Sequence, residues 1–371
     1  MPAQLEMPMQ KVRTEPRDPP PAGSAPAPAL RWVDPLQVPD WDQRVARLPG
    51  ATVFHSRGWI EVLQTTYGHR PAYLCLEQGD QWLACLPLAE VCSPFTGRRA
   101  VSLPFTDLCP CLRTELAAAR ALWPGLTRRA REVGWQHVEL RSAEVVPPGT
   151  PPSLEFLGHV LDLRPGPDAL RAQMDSAARR SLRKALDSNL RADIATDPAA
   201  MADYYRLHCR TRKRHGLPPQ PWRFFQHLQR CLVDRGQGFV VRVRKDQAVV
   251  AAAVFLHFGN HAFYKFGASD LSAQEFRPNN LAMWAGMRYC CERGFQQLHL
   301  GRTSLWNEGL RRFKSGLGAR EERIPIFCWS ARTDRFLPRE DKAKGWHTVM
   351  FRLLPLPLLR LAGELLYPHM D

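Results

Sequence analysis

The chain has 371 residues, 44% of them hydrophobic and 23% charged, with a formal net charge of +15 at pH 7. That apolar content fills two cores and excludes a disordered or solenoid protein. The positive balance makes polyanions the natural electrostatic partners: tRNA, a phosphorylated carrier, a coenzyme pyrophosphate or an anionic lipid surface.

Residues 1–30 are rich in Pro and Ala, lack a continuous apolar run, and read as a disordered leader. Residues 54–67 carry apolar side chains at helical spacing up to Gly68. Residues 72–77 and 81–91 predict a hairpin across Gln78-Gly79-Asp80. A helix over 117–133 stops at Gly134, and 135–140 alternates as a strand does. Pro147, Pro148, Pro151 and Pro152 suit neither a helix nor a central strand, so a linker lies there and a domain boundary is expected near Pro165. The second half predicts helices over 170–188, 201–214 and 222–232, then strands over 238–244, 248–258 and 262–268. A helix over 280–293, stopped by Gly294, and a strand over 295–300 complete it.

The halves agree in residues as well as in order. EVGWQHVEL at 132–140 aligns with ERGFQQLHL at 292–300, with Gly134 against Gly294, an offset of 160 residues. A repeat this long predicts two copies of one α/β fold with mixed sheets, over 31–165 and 166–335. A tail over 336–371 follows, in which Leu358, Leu359, Leu361, Leu365 and Leu366 lie beside Arg352 and Arg360. These residues could face an anionic membrane or dock on the protein's own core. No run is long and uncharged enough to span a bilayer, so the expected location is the cytoplasm, with peripheral attachment at the inner face of the membrane.

Nucleophile-elbow, P-loop, dinucleotide and zinc-protease signatures are missing. The 10 Cys contain no C-x-x-C pair and read as buried thiols, with Cys109 and Cys111 separated by Pro110. His257 and His261 flank a Gly259-Asn260 turn, so no metal is expected. The richest segment, 301–320, reads as a loop leaving a strand end, where Gly309, Gly316 and Gly318 coincide with Arg302, Arg311, Arg312 and Lys314 beside Phe313. Such a loop suits phosphate or carboxylate. A second candidate joins Tyr264 and Lys265 to Arg277, Asn279 and Asn280 at a helix start, where free N–H groups favour an anion. Asp107, in LPFTDL after a strand of the first half, is the carboxylate suited to an acceptor amine.

RRSLRKA at 179–185, RPNNL at 277–281 and GLRRFKSGLGA at 309–319 resemble the FemAB-related proteins and the BioF2-like GNAT acetyltransferase domain. The resemblance implies two tandem GNAT-like domains and a transferase moving an acyl or aminoacyl group onto an amine or hydroxyl. The implied acceptor belongs to the cell envelope or to polysaccharide assembly, lipid- or sugar-linked. No cofactor is held tightly; the donor is acyl-CoA or aminoacyl-tRNA, so tRNA is a possible partner. Lys314 of the FK motif would position the tRNA-linked ester and stabilise its transition state. Pro278-Asn279-Asn280-Leu281 stands where a GNAT pyrophosphate loop carries glycines, which counts against standard coenzyme binding. The alternative is an inactive tandem-GNAT scaffold for polysaccharide machinery or a membrane face.

Overall fold

A computed structural model describes residues 26–341 and 346–370. In the first half the elements are β1 (Ala29–Val33), α1 (Trp41–Ala46), α2 (Arg57–Tyr67), β2 (Arg70–Pro71), β3 (Tyr73–Gln78), β4 (Gln81–Leu86), β5 (Ala89–Ser93) and β6 (Gly97–Val101). They continue as β7 (Leu112–Arg113), α3 (Leu116–Arg120), α4 (Trp123–Val133), β8 (His137–Leu140) and β9 (Leu154–Asp162). The second half holds α5 (Pro167–Gln173), α6 (Ser176–Asp187), β10 (Leu190–Ala195), α7 (Pro198–Arg214), α8 (Trp222–Leu228), β11 (Gly238–Lys245), β12 (Ala248–Phe258) and β13 (His261–Ser269). It ends with α9 (Pro278–Glu292), β14 (Gln297–His299), β15 (Thr303–Ser304), α10 (Glu308–Gly316), β16 (Arg320–Ser330), β17 (Arg335–Phe336), α11 (Trp346–Leu353) and α12 (Leu356–Leu366).

The expected repeat reappears as geometry. β6 runs parallel to β8 with Arg99 opposite His137, and β13 runs parallel to β14 with His261 opposite Gln297. Each parallel pair is bridged by a helix that ends near a left-handed glycine, Gly134 or Gly294. The halves are joined by exchanged strands. β9 lies between β14 and β16, and β16 pairs with β9 over Arg320–Ile326 and with β8 over Phe327–Ser330. One 13-stranded sheet among the described residues therefore runs through both halves, with β1, β3, β4 and β7 forming a second sheet. β9 precedes Pro165, yet it pairs on both sides with strands of the second half.

Four sequence expectations are corrected. The expected helix over 170–188 is two helices, because Asp175 is extended and its carboxylate caps α6 by accepting from Ala178 N at 2.6 Å. The strand expected over 81–91 breaks at Pro87, between β4 and β5. The expected loop over 301–320 contains α10, capped by Asn307 Oδ1 accepting from Leu310 N. The leader expected over 1–30 lies outside the described residues as far as 25, but its Ala29 and Leu30 open β1, paired with β3.

Within the tail expected over 336–371, α12 and the residues that follow it as far as 370 dock on the protein's own core. Leu359 and Tyr367 are buried, and a Cβ on Gly363 would stand 2.0 Å from Pro219 O. No helix among the described residues is long and apolar enough to cross a membrane. All ten cysteines are free thiols, Cys109 and Cys111 included.

Candidate functional site

After residue 263 the parallel pair β13–β14 separates: β13 runs on to Ser269, whereas the other chain turns at Gly301, whose φ is +74°. A side chain from the first half enters the gap. Asp107 Oδ2 accepts from Lys265 Nζ at 2.7 Å, and its Oδ1 accepts from Arg302 N at 3.4 Å. A Cβ on Gly301 would make only ordinary contact with Asp107 Oδ1, at 3.4 Å, so it is the left-handed φ and not the carboxylate that favours glycine there.

The loop that delivers Asp107 is held in uncommon backbone geometry. Leu103 and Phe105 adopt left-handed φ values of 47° and 60°, which non-glycine residues occupy at a cost. Buried Arg141 stabilises them by donating to Leu103 O at 3.0 Å and to Thr106 O at 2.6 Å, while its other end pairs with Glu139 at 3.2 Å. Arg141 was not among the residues picked from sequence. It directly follows Leu140, the repeat partner of Leu300, so its counterpart in the second half is Gly301. Extending that alignment by one residue reaches both loops.

Charges here are set by burial and by one another. Burial pushes Asp107 up, but Lys265 and Arg302 outweigh it and hold the carboxyl below its ordinary value. Burial lowers Lys265, with Asp107 opposing the shift. The Lys265 ammonium also lies 5.3 Å from the Phe54 ring centre and 5.2 Å from that of Phe266, so its walls are aromatic. The Arg302 guanidinium stacks on Phe156 at 4.6 Å, and among the described residues no group accepts a hydrogen bond from it.

Lys314, 3% exposed, projects from α10 under this loop. Its Nζ donates to Gly301 O at 2.9 Å, Arg302 O at 3.1 Å and Thr303 Oγ1 at 3.0 Å, which uses all three protons of an ammonium. Burial lowers its pKa to about 8, against the attraction of Asp107. In this structure Lys314 holds the strand-end loop in shape. Thr303 Oγ1 also stands 3.5 Å from His159 Nδ1, and burial holds that histidine down at about 4.

Two adjoining clefts are lined by the chain neighbours of Lys265 and Lys314, Tyr264 in one and Phe313 in both, and not by the cluster itself. One, of about 420 Å³, is bounded by Tyr264 and Gly267 of β13, Asn279 and Met283 of α9, Phe313 of α10, and His215 after α7. A Cβ on Gly267 would meet the Tyr264 hydroxyl at 1.8 Å, so this glycine makes room for the tyrosine in the cleft wall. The second, of about 620 Å³, is bounded by Ser181 of α6, Arg277 and Asn280 at the start of α9, and Arg312 and Phe313 of α10. Gly309 and Phe313 belong to both.

The structure thus brings Asp107, Lys265, Arg302 and Lys314 into one cluster. Tyr264, Asn279 and Phe313 line one cleft, and Arg277, Asn280, Arg312 and Phe313 line the other. Arg277 takes a left-handed φ of 59° ahead of Pro278, which fixes the start of α9 while removing one N–H from its first turn. Arg312 is solvated and pairs with Glu308 at 3.1 Å. His257 and His261 sit on adjacent strands at the opposite end of β13, and no group of metal-ligating side chains occurs among the described residues.

Comparison with known proteins matches residues 172–315 to the model of the acetyltransferase (GNAT) domain family. No characterised protein matches the chain at the level of sequence. Among solved structures, FemX is 13% identical and aligns over 81% of this chain and 97% of its own, with a TM-score of 0.64. The C-terminal domain of a protein assigned as a lysylphosphatidylglycerol synthetase from Agrobacterium fabrum, also 13% identical, aligns over 82% and 93% with a TM-score of 0.52. A conserved protein of unknown function from Bacteroides thetaiotaomicron, 10% identical, aligns over 80% and 99% with a TM-score of 0.53. At these identities the likeness is one of fold. Residues 172–315 are thus similar to the acetyltransferase (GNAT) domain family, within a mixed α/β fold similar to that of FemX.

Proposed function

We propose that the protein transfers an aminoacyl group from aminoacyl-tRNA to an amine or hydroxyl of a cell-envelope acceptor. The donor ester would enter the cleft between β13, α9 and α10, and the acceptor would meet it at Asp107. The observation that carries this reading is the gap between β13 and the Gly301 turn. An ionised carboxylate from the other half of the chain enters that gap and pairs with Lys265, whose neighbour in β13, Tyr264, lines a cleft of about 420 Å³.

The chemistry required is modest. An uncharged acceptor nitrogen attacks the ester carbonyl, a tetrahedral oxyanion forms, and its collapse breaks the bond to the ribose oxygen, which leaves as a hydroxyl with the proton that the nitrogen gives up. Asp107 is suited to orient the acceptor amine, and Lys265 keeps that carboxylate charged. The Arg302 guanidinium, with unused donors, is suited to an anionic group on the acceptor. Lys314 fixes the loop that carries Arg302.

A nucleic-acid donor is favoured by Arg277 and Arg312 in the lining of the larger cleft and by the exposed cations Arg180, Arg183 and Lys184 of α6, the helix whose Ala177, Ala178 and Ser181 form part of that lining. Acyl-CoA is the second reading, favoured by the match of residues 172–315 to the GNAT acetyltransferase model. Pro278 weakens it by removing an N–H where a pyrophosphate would bind.

The test is turnover: protein, charged tRNA and a panel of amine-bearing envelope precursors, with release of uncharged tRNA measured. Acceptor-dependent release that disappears in Asp107→Asn supports the reading. Release that Asp107→Asn leaves unchanged removes Asp107 from the site.

A further inference from the structure

The inner side of the α11–α12 pair is closely packed. Leu359 is fully buried, Tyr367 receives a hydrogen bond from Arg212 at 2.9 Å, and Gly216 leaves room for Thr348 of α11. The outer side is apolar and open. Val349 is 60% exposed, Leu353 81%, Leu358 52%, Leu361 54% and Leu365 63%. Their spacing, 349 to 353 on α11 and 358, 361, 365 on α12, places each set on one helix face. So many exposed large apolar side chains within one short segment are not a normal monomer surface.

We propose that this face is an interfacial anchor that binds an anionic bilayer, with α11 and α12 lying in the membrane plane. Three observations select this occupant. The cations Arg352 and Arg360 are exposed on these two helices, Arg360 flanking the leucine face with its guanidinium 5.4 Å from the Tyr205 ring centre, while the one carboxylate of α12, Glu364, is already paired with Arg223 at 3.4 Å. Against a second copy of the chain, a two-fold contact would set these arginines against their own copies in a protein of net charge +15, whereas an anionic surface neutralises them. The helices are also too short and interrupted to span, so their apolar faces can enter only the headgroup boundary.

The position of the anchor carries a functional consequence. α11 packs at Gly216, next to His215, and Arg214 and His215 line the smaller cleft. A bound bilayer would therefore lie beside that opening, a geometry fitted to an acceptor carried on a lipid.

The experiment is flotation of the full chain with phosphatidylglycerol–phosphatidylcholine vesicles and with pure phosphatidylcholine vesicles, at low and high salt. The comparison variants are Leu353→Glu/Leu361→Glu/Leu365→Glu and Arg352→Glu/Arg360→Glu. These leucines face solvent, so melting temperature should hold in the triple variant, which serves as the folding control. The expected result is binding to anionic vesicles at least tenfold stronger than to neutral ones, weakened at least tenfold by either variant. Failure of the wild type to bind at low salt, or undiminished binding by the leucine variant, overturns the proposal. So does light scattering that finds a dimer which the leucine variant converts to monomer, in a wild type that ignores vesicles. None of these readouts depends on turnover, so the anchor and the transfer reaction fail separately.

Discussion

Lys265 Nζ donates to Asp107 Oδ2 at 2.7 Å, so an ion pair buried between the halves ties β13 to the loop that follows β6. Removing one partner strands the other charge away from water, which typically costs about 3–5 kcal/mol, whereas replacing both with apolar groups of similar shape is often near neutral. Lys265→Met and Asp107→Leu should each lower stability by that order, and the double variant should recover most of it while remaining inactive. Denaturant titration of the four proteins reads this directly. Additive losses in the double variant would mean that the two charges do not depend on each other.

Lys314 should titrate near pH 8, well below the ordinary lysine value of 10.5. The unfolded chain keeps that proton up to about 10.5 and the folded chain releases it near 8. Between those values the unfolded state binds more protons, so this group's contribution to stability rises with pH across the window and is flat below it. Carbon-labelled lysine followed by NMR gives the titration. A transition above pH 10 would mean that the loop contacts outweigh burial.

Acid should destabilise the protein before its carboxylates protonate. Burial holds His55, His159 and His299 near 4, against an ordinary 6.5. As pH falls from about 6.5 towards 4 the unfolded chain takes up protons that the folded chain refuses, so stability declines across that interval. Melting temperature measured from pH 7 to pH 5 should drop by several degrees, and a flat profile would contradict the burial of these rings.

Gly363→Val should loosen the tail. The new side chain starts 2.0 Å from the backbone oxygen of Pro219, and a backbone atom cannot swing aside as a side chain can. The expected outcome is faster proteolysis within 346–370 and a stability loss of about 1–3 kcal/mol. Unchanged proteolysis would mean that α12 is not held at that contact.

The repeat was legible because EVGWQHVEL and ERGFQQLHL keep the glycine stop and the strand that follows at one spacing, and both elements are local. The strand exchange was not, since nothing in β9 or β16 states which half it will pair with; that choice is made by sheet edges far away in sequence. At the site, the glycines and arginines of 301–320 draw attention to Arg302, Phe313 and Lys314, but the segment reads as a loop, and Phe313 and Lys314 stand on α10. Asp107 meets Lys265 only through the left-handed turns at Leu103 and Phe105 and the support of Arg141. Those are contacts between segments that no local pattern joins. Asp175 hid a helix break inside a run of good helix formers, because a cap looks like any polar residue until the chain turns.

The central claim is that an activated donor occupies the two clefts that meet at Gly309 and Phe313, with its ester end between β13, α9 and α10 and its anionic part beside Arg277. The direct measurement is a parallel thermal-shift titration at low salt with aminoacyl-tRNA, acetyl-CoA and a longer acyl-CoA, on the wild type and on Arg277→Ala. A ligand bound only by the native state raises the melting temperature with its concentration. The account predicts a rise with aminoacyl-tRNA, much reduced in Arg277→Ala. No rise with any donor, or an equal rise in the variant, would contradict it.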